Sequence, residues 1–194
     1  PNGDLPTSRS MIFITPDGER SMNTYLGIST ELGPRDIPEK VATASEMIFL
    51  EGYLFDKDQG KEAFRQASRM TRTAGGRAGI AISDPFCVNR HRNDFIEMIK
   101  NDLDFVIGNE HEIKSLYETN DLEAAMSKTA DMIKLMVCTR SGDGVTIMSN
   151  GERHDIPVNK ITTVDATGAG AQFAAGFIYG MVTGRDLETC GKMG

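Results

Sequence analysis

Apolar and polar positions alternate in two distinct ways along the chain. Residues 10–27 read Ser-Met-Ile-Phe-Ile-Thr-Pro-Asp-Gly-Glu-Arg-Ser-Met-Asn-Thr-Tyr-Leu-Gly, two β-prone runs on either side of Pro16-Asp17-Gly18-Glu19. Proline presets φ and glycine accepts φ > 0, so this spacing predicts a hairpin. Leu32-Gly33-Pro34 then reads as a linker.

From about residue 38 the pattern becomes short continuous apolar runs separated by helix-forming stretches. Strands are predicted at Met47–Leu50, Ala78–Ser83 (stopped by Asp84-Pro85), Asp104–Ile107 and Leu135–Thr139. Helices are predicted over 58–73 (ending at Gly75-Gly76), 93–100, 110–118, 121–133 and 169–182, with a last one starting near Asp186. Val145–Met148 and Glu152–Val158 flank Asn150-Gly151, a favoured two-residue hairpin turn. Continuous apolar strands alternating with helices predict an α/β fold with a doubly wound, mostly parallel sheet, which binds ligands at the carboxyl ends of its strands.

Composition narrows the picture. The 194 residues suffice for one α/β domain with a real core. A net charge of −7 and a pI near 5.0 argue against a nucleic-acid partner. Cys87, Cys138 and Cys190 form no C-x-x-C pair, so neither a zinc ribbon nor a disulfide framework is expected, and a reducing, cytoplasmic setting fits. No apolar run reaches the roughly 18 residues of a membrane span. The chain opens on Pro1 and closes on Gly194 inside a helical pattern, which reads as a piece cut from something longer.

Candidate chemistry concentrates in Val164-Asp165-Ala166-Thr167-Gly168-Ala169-Gly170-Ala171-Gln172-Phe173. Gly168 and Gly170 stand where a loop turns into a helix. First-turn amides there lack internal partners, and the helix dipole adds positive charge, so the helix mouth suits an anion. The competing reading is a glycine-containing loop before a closely packed helix. No G-x-G-x-x-G occurs, and Gly191-Lys192 lacks the spacing and the Ser/Thr of a Walker loop.

This segment resembles the D-[TA]-T-G-A-G-D signature of PfkB-type (ribokinase-like) kinases, and Phe173-Ala174-Ala175-Gly176-Phe177 is what commonly follows it. Asn109-Glu110-His111-Glu112 resembles the family's N-x-x-E motif. Thr139 to Gly144 resembles its T-x-G-x-x-G nucleotide loop, with Ser141 in place of the first glycine. The 15–27 stretch is similar to the lid hairpin of the adenosine-kinase-like branch. The resemblance implies a ribokinase-like, Rossmann-like α/β core over 37–194, incomplete at both ends, with part of a β lid over 1–36.

It further implies an anion hole at Gly168, Ala169 and Gly170, Mg²⁺ organised by Asn109 and Glu112 through water, and ATP lined by Asn109, Thr139, Ser141, Gly142 and Gly144. It assigns a monovalent cation, K⁺, to Asp165 and Thr167. The phosphoryl acceptor would be a small-molecule sugar or nucleoside, with no nucleic-acid or membrane partner, and a homodimer could form through the lid or exposed edges.

One residue departs from the signature. Its last position should carry the aspartate that takes the proton of the acceptor hydroxyl, and here it is Ala171, with neutral Gln172 beside it. An inactivating change, a natural pseudokinase and a sequence error all accommodate this, and an unrelated dinucleotide-binding domain remains a further alternative. Elsewhere, Asp84-Pro85 reads as a strand-ending turn on the ligand side. Arg90, His91 and Arg92 read either as phosphate contacts or as a solvated helix start. Glu51-Gly52-Tyr53 follows a strand and reads as facing the substrate, with core packing the competing reading for Tyr53, and lone His111 does not read as a metal ligand.

Overall fold

In the computed structural model, residues 3–194 are described. Pro1 and Asn2, the first residues of the expected lid portion, lie outside the described residues. A two-stranded antiparallel sheet pairs β1 (Arg9–Ile14) with β2 (Arg20–Tyr25), Arg9 opposite Tyr25 and Ile14 opposite Arg20. Gly18 turns the chain at φ +83°, which a side chain would resist.

A six-stranded sheet follows in simple sequence order: β3 (Met47–Glu51), β4 (Arg77–Ala81), β5 (Phe105–Asn109), β6 (Leu135–Thr139), β7 (Val145–Ser149) and β8 (Glu152–Ile156). The first four strands are parallel, and β7 and β8 add on antiparallel. Asn150 (φ +51°) and Gly151 (φ +83°) make the expected turn between the last two.

Strand alternation splits the core between the two sheet faces. Ala78, Ile80, Val106, Met136 and Cys138 point into one cluster with Phe55, Phe64, Phe95, Met98 and Ile113. That face is covered by α2 (Asp58–Thr73), α3 (Pro85–Asn101), α4 (Glu110–Ser115) and α5 (Leu122–Ala130). Phe105, Ile107, Leu135 and Val137 point the opposite way, against Ala174, Phe177 and Met181 of α6 (Ala169–Val182) and Cys190 of α7 (Leu187–Met193). Helix α2 shows how the pattern dictates the element: its buried residues, Gly60, Ala63, Phe64, Ala67, Ser68 and Thr71, recur at helical spacing.

Several boundaries differ from the sequence expectation: β5 runs on to Asn109, while α4, α5 and β8 stop early, at Ser115, Ala130 and Ile156. A short helix, α1 (Glu39–Ala44), precedes β3 and carries one buried residue, Ala42, too little to create a visible period. Helix α3 starts at Pro85 rather than at residue 93. Asp84 caps it by accepting the Phe86 and Cys87 amides at 2.6 and 3.1 Å, and proline at the first helical position completes the start signal. A non-helical His91 (φ −129°, ψ 26°) interrupts α3, and the polar Arg90-His91-Arg92 run there hides the continuity of the two halves. Strand β4 stops at Ala81 because Ser83 turns away at φ +78°.

Candidate active site

The carboxyl ends of the parallel strands open into one cavity of about 330 Å³. Each strand end brings polar atoms to it: Glu51 from β3, Ser83 after β4, Gly108 and Asn109 from β5, and Thr139 from β6. The opposite wall is the mouth of α6, with Thr167, Gly168, Gly170 and Ala171. Arg20 and Met22 of β2 form the side contributed by the hairpin.

The α6 mouth is open. Gly168 enters the helix at φ +81°, ψ 1°, a left-handed conformation that glycine adopts without a Cβ penalty. The Ala169 amide donates to Ala166 O at 3.2 Å, and Gln172 to Gly168 O at 2.8 Å. Among the described residues, the Gly170 and Ala171 amides make no backbone hydrogen bond, and these two are free to meet an anion. A Cβ placed on Gly168 or Gly170 would meet nothing within 4 Å, so neither glycine is there for packing. Close packing falls further along the helix, where Gly176 lies against Met193 O and Gly180 against Cys190 Sγ.

Asn109 and Glu112 interlock. Asn109 caps α4, its Oδ1 accepting the Glu112 amide at 2.9 Å. Glu112 Oε2 accepts the Asn109 amide at 2.9 Å, and Oε1 accepts Asn109 Nδ2 at 2.7 Å. The N-x-x-E spacing is thus a reciprocal capping box. Glu112 is 7% exposed. Loss of solvation pushes its carboxyl up to about 7 against the opposing Asn109 amide, with the charges of Asp84 and Glu51 adding to the rise.

Glu51, open to the same cavity, is also raised, chiefly by lost solvation, and its Oε2 accepts from Ser83 Oγ at 3.3 Å. A cavity that raises both carboxylates, chiefly by withholding solvent, fits a cation. Each Glu112 oxygen retains a second lone pair for a water, and among the described residues no group of three or more His, Cys, Asp or Glu is placed to hold a metal alone. Mg²⁺, which keeps several waters and leans on phosphate oxygens, suits such a donor set.

Other expected residues take other positions. Ser141, Gly142 and Gly144 form the turn into β7 and are not on the cavity wall. Ser141 sits at φ +48°, a conformation in which glycine carries no steric cost, and Gly144 (φ +86°) abuts Ile156 O. Asp165 is exposed and accepts the Thr167 amide at 2.8 Å; the Thr167 hydroxyl first, and then that amide, hold its carboxyl below the usual range.

Arg90 and His91 both bind Asp56, at 3.0 and 2.8 Å, while Arg92 binds Ser115 O and Glu118. All three therefore staple the protein to itself. His111 is exposed, 4.0 Å from Glu110. Tyr53 lines the cavity and donates its hydroxyl to Ser83 O at 3.0 Å.

Sequence reasoning missed Arg20 and Ser83. Arg20 Nη1 donates to Ala166 O at 3.4 Å, the Ala166 amide reaches Gly18 O at 3.4 Å, and the hairpin turn thereby rests on the loop that leads into α6. That contact spans 146 residues, and no local signal announces it.

A mostly parallel sheet flanked by helices on both faces, its strand ends opening toward the α6 mouth, defines an α/β protein of the ribokinase-like fold. More specifically, the chain belongs to the pfkB family of carbohydrate kinases, whose model matches residues 1–194. It is 43% identical to a probable sugar kinase of Rhizobium etli CFN 42, with a TM-score of 0.95 over 100% of this chain and 59% of that one. It is likewise 43% identical to an adenosine kinase of Sinorhizobium meliloti, TM-score 0.94, over 97% and 58%. An uncharacterized sugar kinase of Archaeoglobus fulgidus is 26% identical over 187 residues, 95% of this chain and 72% of that protein. The chain thus spans somewhat under two thirds of the length of the solved relatives.

Proposed function

We propose that the full-length protein transfers the terminal phosphoryl group of ATP to a hydroxyl of a sugar or nucleoside, and that Ala171 leaves this activity impaired. The observation that carries the reading is the shared cavity: the free amides of Gly170 and Ala171 face the same space as Asn109, Glu112 and Thr139. Bound MgATP supplies the phosphoryl group and the charge of the metal. The protein's part is positioning and neutralisation. The α6 amides and dipole stabilise charge on the transferring group. Asn109 and Glu112 hold water toward the metal. Arg20, carried on the hairpin, adds a cation at the cavity wall and ties lid position to the loop that leads into the anion hole. Asp165 and Thr167 are the proposed K⁺ side of that loop, and residues 1–36 the proposed lid portion over a core from residue 37.

Alanine offers no proton acceptor, and general-base catalysis contributes about 10²–10⁴-fold. Ala171→Asp in the full-length protein, assayed with ATP against a panel of sugars and nucleosides, is therefore expected to raise kcat by about two orders of magnitude or more. Ala171 also favours a second reading, a non-catalytic nucleotide- or sugar-binding pseudokinase. Unchanged turnover in Ala171→Asp with ligand binding intact would select it.

A further inference from the structure

With alanine at position 171, another group must receive the acceptor's proton if any turnover survives. The cavity wall carries two carboxylates, Glu51 and Glu112. Glu112 is committed, each oxygen accepting from Asn109 at 2.9 and 2.7 Å, and it is nearly buried. Glu51 is different. It stands at the carboxyl end of β3, open to the cavity, and among the described residues its one hydrogen bond comes from Ser83 Oγ to Oε2 at 3.3 Å, a hydroxyl that also reaches Ala81 O at 3.2 Å. Its Oε1 makes no hydrogen bond among the described residues. Ser83 is itself held firmly, its carbonyl receiving the Tyr53 hydroxyl at 3.0 Å and its left-handed backbone (φ +78°) aiming it back toward β3. Other charges facing this corner are Arg20, Asp84 and Glu112.

We infer that Glu51 is the surviving proton acceptor of this variant site. This rests on the phosphotransfer reading above. In the step, the acceptor O–H bond breaks and its proton passes to Glu51 Oε1. The acceptor oxygen bonds to the terminal phosphorus, and the phosphorus–oxygen bond to the β-phosphate breaks, ADP leaving with that electron pair. Glu51 then returns the proton to water. Ser83 and Tyr53 are positioning residues for this carboxylate.

The test is a double-mutant cycle in the full-length protein: Glu51→Gln with Ala171 present and in the Ala171→Asp background, with MgATP affinity measured in parallel. With Ala171 present, Glu51→Gln is expected to lower kcat at least about 10-fold while MgATP affinity stays within about 3-fold, since a base is worth about 10²–10⁴-fold when well placed. Glu51→Asp is expected to fall between the two. In the Ala171→Asp background the loss should shrink to about 3-fold, because the stronger base has taken over.

Equal losses in both backgrounds would mean that Glu51 only binds the acceptor, and would overturn the inference. So would Glu51→Asp no better than Glu51→Gln. Turnover that appears only with Ala171→Asp would overturn the role of Glu51 while leaving the kinase reading standing. Absence of both turnover and MgATP binding in every variant would remove both.

Discussion

At the scale of single residues, Glu112 carries the sharpest consequence. Its carboxyl is pushed from the usual 4.5 to about 7 in the folded state, so between these values the native protein binds more protons than the unfolded chain. Stability therefore falls as pH rises from about 4.5 to 7 and levels off above, by about 3 kcal/mol from this group. Denaturant unfolding of the nucleotide-free protein across that window should show the slope, Glu112→Gln should flatten it, and added Mg²⁺ with ATP should offset the loss at high pH. Gly144 is the second such residue. At φ +86° and ψ −144°, against Ile156 O, it tolerates no side chain, and Gly144→Ala is expected to cost about 1–3 kcal/mol in the same assay. Ser141, at φ +48° where the family's motif has glycine, keeps the turn but takes on the strain that glycine would avoid.

At the scale of elements, the hairpin and helix α3 show opposite relations between sequence and structure. The hairpin was legible because a turn signal and two β-prone runs are local. Its standing in the molecule was not, since every residue of β1 and β2 is exposed and its docking rests on Gly18, Arg20 and Ala166. A two-stranded ribbon has little stability of its own. Its amides should exchange with solvent roughly 100-fold or more faster than those of the β5–β6 ladder, measured by hydrogen exchange. Helix α3 was only half legible. The Asp84-Pro85 signature marks its start as well as the end of a strand, and the Arg90–Asp56 and His91–Asp56 pairs that hold its kink join segments 34 and 35 residues apart. The start of α6 after Gly168 was legible, because capping conformation and helix start are both local properties.

At the scale of the whole molecule, what stands out is apolar surface left uncovered. Met11 and Phe13 on the hairpin are 59% and 63% exposed, and Ile161 and Val164 before α6 are each 83% exposed. Among the described residues strand β3 pairs with β4 alone, which leaves one edge of the sheet with unpaired backbone groups. Such surfaces seek partners. The 194-residue chain on its own is expected to self-associate, with an average mass by sedimentation that rises with concentration and falls again in Phe13→Lys. A monomer that unfolds in one sharp transition at low concentration would contradict this.

The amino-acid sequence alone determined the α/β alternation, the parallel character of β3–β6, the glycine-rich helix mouth and the absence of a base at position 171, because each depends on neighbours within a few residues. Only the tertiary structure decided which residues share the cavity. It brought Arg20 to Ala166, placed Glu51 and Ser83 across from the α6 mouth, and left Ser141 and Gly142 off the wall. Those placements follow from packing strands and helices that lie far apart in the chain, and no local periodicity encodes the distance between them.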